Sequence, residues 1–237
     1  MVITNIIKDL LVYCFVYLPP LIIFIKISRQ MKRNKFILIF ISLVYMGLCV
    51  FTQNLFPFLL VMFDIYYLTD MEDRKFFNAK TFNIISAFKF TMFSYLITMF
   101  ISYFWMMVSS SKNVSLNEQP VITWMMSMSL LKFILVIPVA IIFAPVVEEF
   151  VFRWVLFEKI FNKRIPVIVS AVLTSLIFAS MHFSLKAFPI LCWIGLYNCY
   201  LIHKKSFWYA VFNHSFFNSI TTFVLLFYKL GIIKILN

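Results

Sequence analysis

The chain has 237 residues, of which 63% are hydrophobic and only 13% are charged. Average soluble domains are about 45–50% apolar and about 25% charged, so this composition excludes a water-soluble globular fold. The net charge of +12 does not indicate a nucleic-acid-binding protein, because the lysines and arginines cluster in short connections between apolar runs, as the positive-inside bias of membrane proteins predicts.

A membrane-spanning helix needs about 20 predominantly apolar residues. Windows of that size give runs near 8–27, 36–63, 81–108, 121–147, 148–161, 166–183, 187–203 and 206–229. The short fifth run can continue the fourth as one long, kinked helix, since Pro138 and Pro145 both interrupt the helical hydrogen-bond ladder. We therefore predict an all-α, polytopic transmembrane bundle of seven or eight spans that forms a single integral-membrane domain over 1–237.

Composition also predicts how such a bundle packs. The chain has 3 glycines and 31 phenylalanines, so close helix contacts through small residues are scarce and packing rests on large apolar side chains. The four cysteines all lie within apolar runs, without metal-ligand or disulfide spacing. We interpret them as small hydrophobes in a bundle.

The basic connections predict an orientation. They lie at 26–35, at 163–164 and at 203–205. With eight spans all three fall on one side, which the positive-inside bias assigns to the cytoplasm, with both termini outside. The connection at 64–80 falls on the other side and is mixed, with the acidic residues Asp64, Asp70, Glu72 and Asp73 against the basic residues Arg74, Lys75 and Lys80.

Three charged residues lie close together within an apolar run, in the sequence Glu148-Glu149-xxx-Arg153. On a helix, Glu149 and Arg153 are i,i+4 neighbours and can pair, whereas Glu148 points about 100° away from Glu149. An unpaired, desolvated carboxylate can act as a general base on water. The alternative is a buried ion pair that only fixes helix register, which leaves the second glutamate unexplained.

Two further polar motifs follow in apolar runs. Phe178-xxx-His182 places a histidine near a span end, where a capping role is the alternative. His214-xxx-Asn218 places two hydrogen-bond donors on one helix face, where they can stabilise an oxyanion or only join helices. A glutamate, two histidines and an asparagine together can hydrolyse an amide with a bound water.

The motifs EEFVFR, FASMH and HSFFN, in this order, resemble the CPBP family of intramembrane proteases, also called Abi, which includes the type II CAAX prenyl endopeptidases. The resemblance covers about 144–220, within a catalytic core at about 121–229. It implies that Glu148 activates water with the help of His182. It also implies that Glu149 and Arg153 form an orienting pair.

The resemblance further implies that His214 and Asn218 form the oxyanion site, in a bundle of about eight helices around a polar, water-filled cavity. No cofactor or metal is implied. Where family members often carry glycine, this chain has Trp154 after the arginine and Cys199 in the helix before the last motif. We therefore do not carry over the specificity for prenylated CAAX substrates.

The function we expect is an endopeptidase of the bacterial cell membrane. Its partners are membrane lipids and a membrane-associated peptide or protein precursor, in bacteriocin or peptide-pheromone maturation or in self-immunity. A zinc protease is one alternative, although the chain has no HExxH motif. A non-catalytic scaffold or immunity protein is another, and a small-solute transporter is a third, for which Lys89 and Lys132 lie in apolar runs.

Overall fold

The computed structural model describes residues 2–52, 54–68, 74–112 and 116–233. Within these ranges the chain forms ten helices and a 3-10 turn at Ala79–Thr81, without a strand. The helices are α1 (2–30), α2 (Lys35–Thr52), α3 (Leu55–Leu68), α4 (Arg74–Phe77), α5 (Ile84–Ser111), α6 (Pro120–Ser127), α7 (Leu130–Phe161), α8 (Val167–Ser180), α9 (Phe188–Lys204) and α10 (Phe207–Lys229).

The helices are built for a lipid environment. Four of them are long and apolar enough to cross a membrane, namely α1 over Ile7–Gln30, α5, α7 and α10, and α2, α3 and α8 contain shorter apolar segments. Large apolar side chains point outward, among them Phe36 at 82% and Phe100 at 72% exposure. Soluble proteins rarely expose so much apolar surface to water. The all-α membrane bundle is confirmed, and the chain is an integral membrane protein.

The predicted span 36–63 is wrong, because this stretch forms two helices, α2 ending at Thr52 and α3 beginning at Leu55. Tyr45 of α2 donates a hydrogen bond to the carbonyl oxygen of Tyr17 at 2.9 Å, so α2 runs back along α1. Arg33 then lies 3.4 Å from the hydroxyl of Tyr67, so α3 ends at the level where α1 ended.

The predicted runs 121–147 and 148–161 are divided differently. Residues Pro120–Ser127 form the separate short helix α6, and α7 then continues through Pro138 and Pro145. Each proline removes a backbone donor and crowds the carbonyl four residues earlier. The helix widens into π-helical segments at Val139–Phe143 and Glu149–Phe161, and so continues without a break.

One end of the bundle carries most of the cations, and we call it the basic end. There the indole of Trp208 donates to the carbonyl of Phe77 at 2.8 Å, and His203 lies 2.8 Å from Glu158, which joins α4, α7, α9 and α10. The lysines and arginines within one helical turn of this end are Lys26, Arg29, Lys32, Arg33, Lys35, Arg74, Lys75, Lys80, Lys159, Lys163, Arg164, Lys204 and Lys205.

This placement corrects the side predicted for the connection at 64–80. Helix α4 of this connection packs through Phe77 against Trp154 and Phe207, with ring centroids 5.2 and 5.1 Å apart. It therefore lies at the basic end, because the α2–α3 hairpin adds one crossing before it. The acidic residues Asp70, Glu72 and Asp73 of that connection lie outside the described residues.

Helices α8 and α9 pack closely through Gly195. A Cβ atom added there would lie 2.9 Å from Cβ and 3.1 Å from Cα of Ser175, which is closer than carbon atoms approach. Gly47 in α2 is also in a helix, but an added Cβ would meet no atom within 4 Å. These two glycines therefore form a matched pair for testing the contact.

We expect Gly195→Ala to destabilise the bundle by about 1–3 kcal/mol, because α8 and α9 must move apart to fit the methyl group. Gly47→Ala is the control, since removing a mid-helix glycine in open space stabilises a helix by about 0.5–1 kcal/mol. Thermal unfolding in detergent micelles measures both. Equal shifts of Tm for the two variants would contradict the close contact.

Candidate functional site

The central group of the site is the carboxylate of Glu149, which is fully buried. Its Oε2 lies 3.1 Å from Nε of Arg153, one helical turn further along α7 and equally buried. Its Oε1 accepts hydrogen bonds from Nδ1 of His214 on α10, at 2.6 Å, and from Nδ2 of Asn198 on α9, at 3.0 Å. One carboxylate therefore joins three helices.

The guanidinium of Arg153 is held on its other side by an aromatic ring. Its central carbon lies 3.9 Å from the ring centroid of Phe178 on α8, within the range of a cation–π interaction. The ring of His214 packs edge-on against the same phenylalanine at 5.8 Å. The aromatic residue of the second motif therefore has a structural role, because Phe178 brings α8 into contact with the buried ion pair.

Two buried asparagines complete this network, and the sequence analysis missed both. Asn213 donates from Nδ2 to Oδ1 of Asn198 at 2.8 Å, and Asn198 donates to Glu149. A carboxamide within the apolar run 187–203 was the signal that could have indicated Asn198. Asn213 stands directly before His214 and could have been included with it.

Glu148 has different surroundings from its neighbour. Its side chain is 19% exposed, and Oε2 lies 3.7 Å from Nε2 of His214 without a hydrogen-bond partner among the described residues. The two glutamates thus differ because adjacent helix positions point about 100° apart. Glu149 is neutralised inside the bundle, and Glu148 faces a cavity.

His182 lies in the turn after the last residue of α8. Its Nδ1 is 2.8 Å from the carbonyl oxygen of Phe178. Because a carbonyl only accepts, Nδ1 carries the proton and the neutral ring keeps a lone pair on Nε2. Burial lowers the pKa of the His182 imidazole, although the nearby Glu148 carboxylate opposes this shift, and the lowered pKa favours that neutral form.

Asn218 follows His214 by one turn on α10. Its Nδ2 donates to the carbonyl oxygen of Ala140, at 2.9 Å, in the first π-helical segment of α7. That contact uses one of the two N–H groups of the carboxamide and leaves the other for a further acceptor.

A cavity of about 690 Å³ lies beside these groups. Four of the six predicted site residues line it, namely Glu148, His182, His214 and Asn218. Glu149 and Arg153 lie behind them, outside the lining. The structure thus separates the six residues into a layer facing the cavity and a buried ion pair that supports it.

A metal-binding arrangement is not found among the described residues, where no three His, Cys, Asp or Glu side chains are placed to hold an ion together. The zinc alternative therefore has no ligand set in the described part of the chain.

The fold and the site define a class of protein, a helical membrane protein with a carboxylate and two imidazoles beside an internal cavity. Residues 130–220 match the family model of the type II CAAX prenyl endopeptidases, described as Rce1-like. This match confirms the resemblance that the motifs indicated, and all six candidate residues fall within it. No curated protein and no solved structure matches the chain.

We expect Arg153→Met to destabilise the protein by about 3–5 kcal/mol, because it leaves the Glu149 carboxylate buried without its guanidinium. The double variant Glu149→Gln, Arg153→Met should recover part of that loss, since neither charge remains. Thermal unfolding in detergent measures both.

The matched control is Glu118→Gln, which removes the half-exposed ion pair between Glu118 and Lys186. Exposed pairs contribute about 0–1 kcal/mol, so this variant should unfold close to the wild-type temperature. A cost for Arg153→Met no larger than for Glu118→Gln would show that the buried pair does not support the fold.

Proposed function

We propose that this protein is an intramembrane endopeptidase in which Glu148 activates a water molecule for attack on a peptide bond. The observation that carries the proposal is the difference between the two adjacent glutamates. Glu149 is fully buried with Arg153, His214 and Asn198 as partners, whereas Glu148 lines the cavity with a side chain that is 19% exposed. A general base needs an unused lone pair within reach of water and substrate.

In the first step, a water in the cavity donates one hydrogen bond to Glu148 and a second to Nε2 of His182. Both acceptors are available, because His182 carries its proton on Nδ1. As the water oxygen forms a bond to the carbonyl carbon of the substrate, its proton moves to Glu148. A fixed pair of acceptors thus orients the water before the reaction, which lowers the entropic part of the barrier.

The second requirement is a donor for the oxyanion that forms on the substrate. Asn218 can supply it from the N–H that Ala140 does not use. His214 can supply a second only when both ring nitrogens carry protons, because Nδ1 already donates to Glu149. Removing one oxyanion donor typically costs about 10²–10³ in rate.

In the last step the tetrahedral intermediate breaks its C–N bond. The proton that Glu148 took from water passes to the leaving amine, and the new carboxyl terminus and amine leave the cavity. Glu148 is ionised again, and no covalent enzyme intermediate forms.

The substrate that we propose is a membrane-associated peptide or protein precursor in a bacterial cell membrane, in bacteriocin or peptide-pheromone maturation or in self-immunity. The resemblance in residues 130–220 supports a peptide substrate. Trp154, which stands where relatives often have glycine, is buried against Phe150 with ring centroids 4.8 Å apart. This local packing differs from the family pattern, so we do not propose prenylated substrates.

No specific observation favours either of the two remaining alternatives, a transporter or a non-catalytic scaffold. A transporter would place its ionisable residues along the pathway. Lys89 and Lys132 are both exposed on the outside of the bundle, and neither lines the cavity of about 690 Å³. A scaffold gives no reason for a partly exposed carboxylate and two imidazoles to line one internal cavity.

We expect Glu148→Gln to abolish cleavage, with a rate loss of about 10²–10⁴, because the carboxamide cannot take a proton from water. The measurement is mass spectrometry of membrane and secreted peptides from host cells carrying the wild type, a deletion or the variant, at matched protein levels. One precursor should accumulate uncut in both the deletion and the variant.

Asp64→Asn is the matched control. Asp64 is also a buried carboxyl group within an apolar helix, α3, but it does not line the cavity. Its variant should process the precursor as the wild type does. If cells with Glu148→Gln process the precursor as the wild type does while the deletion has a phenotype, the result favours a scaffold or a transporter over a protease.

A further inference from the structure

The two ends of the bundle differ strongly in their cations. The basic end holds thirteen of the described lysines and arginines. At the opposite end, which we call the cavity end, lie five of the described lysines, namely Lys8, Lys112, Lys132, Lys186 and Lys229. The positive-inside bias counts lysine and arginine in short connections, and acidic residues contribute little to it. The basic end is therefore the cytoplasmic one.

The cavity opens at the other end. Its lining includes Lys8 and Asp9 of α1, Asn54 of the α2–α3 turn, Gln119 before α6 and Phe183 after α8. All of these positions lie at the cavity end. None of the cations assigned to the basic end contributes to the lining that the described residues form.

The basic end is closed beneath the site by aromatic rings. Phe77, Phe150, Trp154 and Phe207 are each at most 2% exposed, and their ring centroids lie 4.8 to 6.1 Å apart where they touch. Glu158, which pairs with His203 and Asn162, adds a polar layer closer to the surface. A polypeptide on the cytoplasmic side thus meets closely packed side chains before it reaches Glu148.

We infer that the site opens away from the cytoplasm and cleaves polypeptides presented on the outer side of the membrane, and this inference rests on the proposed endopeptidase function. The substrate class is an exported peptide, or the outward-facing juxtamembrane segment of a membrane-anchored precursor. The rim carries Lys8 and Asp9, together with the Lys186–Glu118 pair, so charges of both signs flank the entrance. The substrate enters only after its own translocation.

The test is the accessibility of single introduced cysteines in intact host cells. Lys112→Cys and Gln119→Cys mark the cavity end, and Lys163→Cys and Lys204→Cys mark the basic end. None of these four residues belongs to the proposed catalytic groups. A membrane-impermeable charged maleimide is applied before and after permeabilisation, and the wild type with its four native cysteines gives the background.

We expect the two cavity-end cysteines to be labelled in intact cells and the two basic-end cysteines only after permeabilisation. The reverse pattern, labelling of all four in intact cells, or no labelling of Gln119→Cys without permeabilisation would each overturn the inference. The same labelling in a Glu148→Gln background separates this result from catalysis. An outward-facing pattern without any accumulated precursor contradicts the proposed protease and leaves the orientation intact.

Discussion

The fold around the site depends on one buried charge, the guanidinium of Arg153. Inside an apolar bundle an unpaired charge is costly, so its partners must lie within contact distance. Glu149 neutralises it from the same helix, Phe178 packs on it from α8, and Asn198 and His214 hold the carboxylate from α9 and α10. Four helices therefore take fixed positions relative to a single ion pair. The need to pair this buried charge explains why polar residues occur inside these apolar helices.

The same ion pair also fixes the residues around the cavity. Since Arg153, His214 and Asn198 hold Glu149 inside the bundle, the neighbouring Glu148 can face the cavity. His214 connects the two, with Nδ1 on Glu149 and Nε2 at 3.7 Å from Glu148. The buried pair thus fixes the position of a ring that lines the cavity. The π-helical segment that starts at Glu149 belongs to this arrangement, since such widened turns often occur at functional sites.

The two ends of the bundle differ in how closely their side chains pack. This difference determines at which end the cavity is open. Large aromatic side chains close the basic end, as expected for a chain with 31 phenylalanines and 3 glycines. Only Gly195 among these glycines allows a close helix contact, which brings α9 against Ser175 of α8. At the other end the short helix α6 and the turn after α8 leave room for a cavity of about 690 Å³. A polar site therefore lies between a dense apolar layer and an open mouth.

The sequence by itself determined the fold class, since its apolar runs can be satisfied only as helices in lipid. It also determined which residues share a helix face, such as Glu149 with Arg153, because that follows from local periodicity. It did not determine that run 36–63 folds into a hairpin, or that α7 continues through Pro138 and Pro145. Only the tertiary structure decided that Asn198 and His214 meet Glu149, and that the cavity lies opposite the basic end. Those contacts join helices far apart in the chain, and local periodicity carries no information about which helices become neighbours.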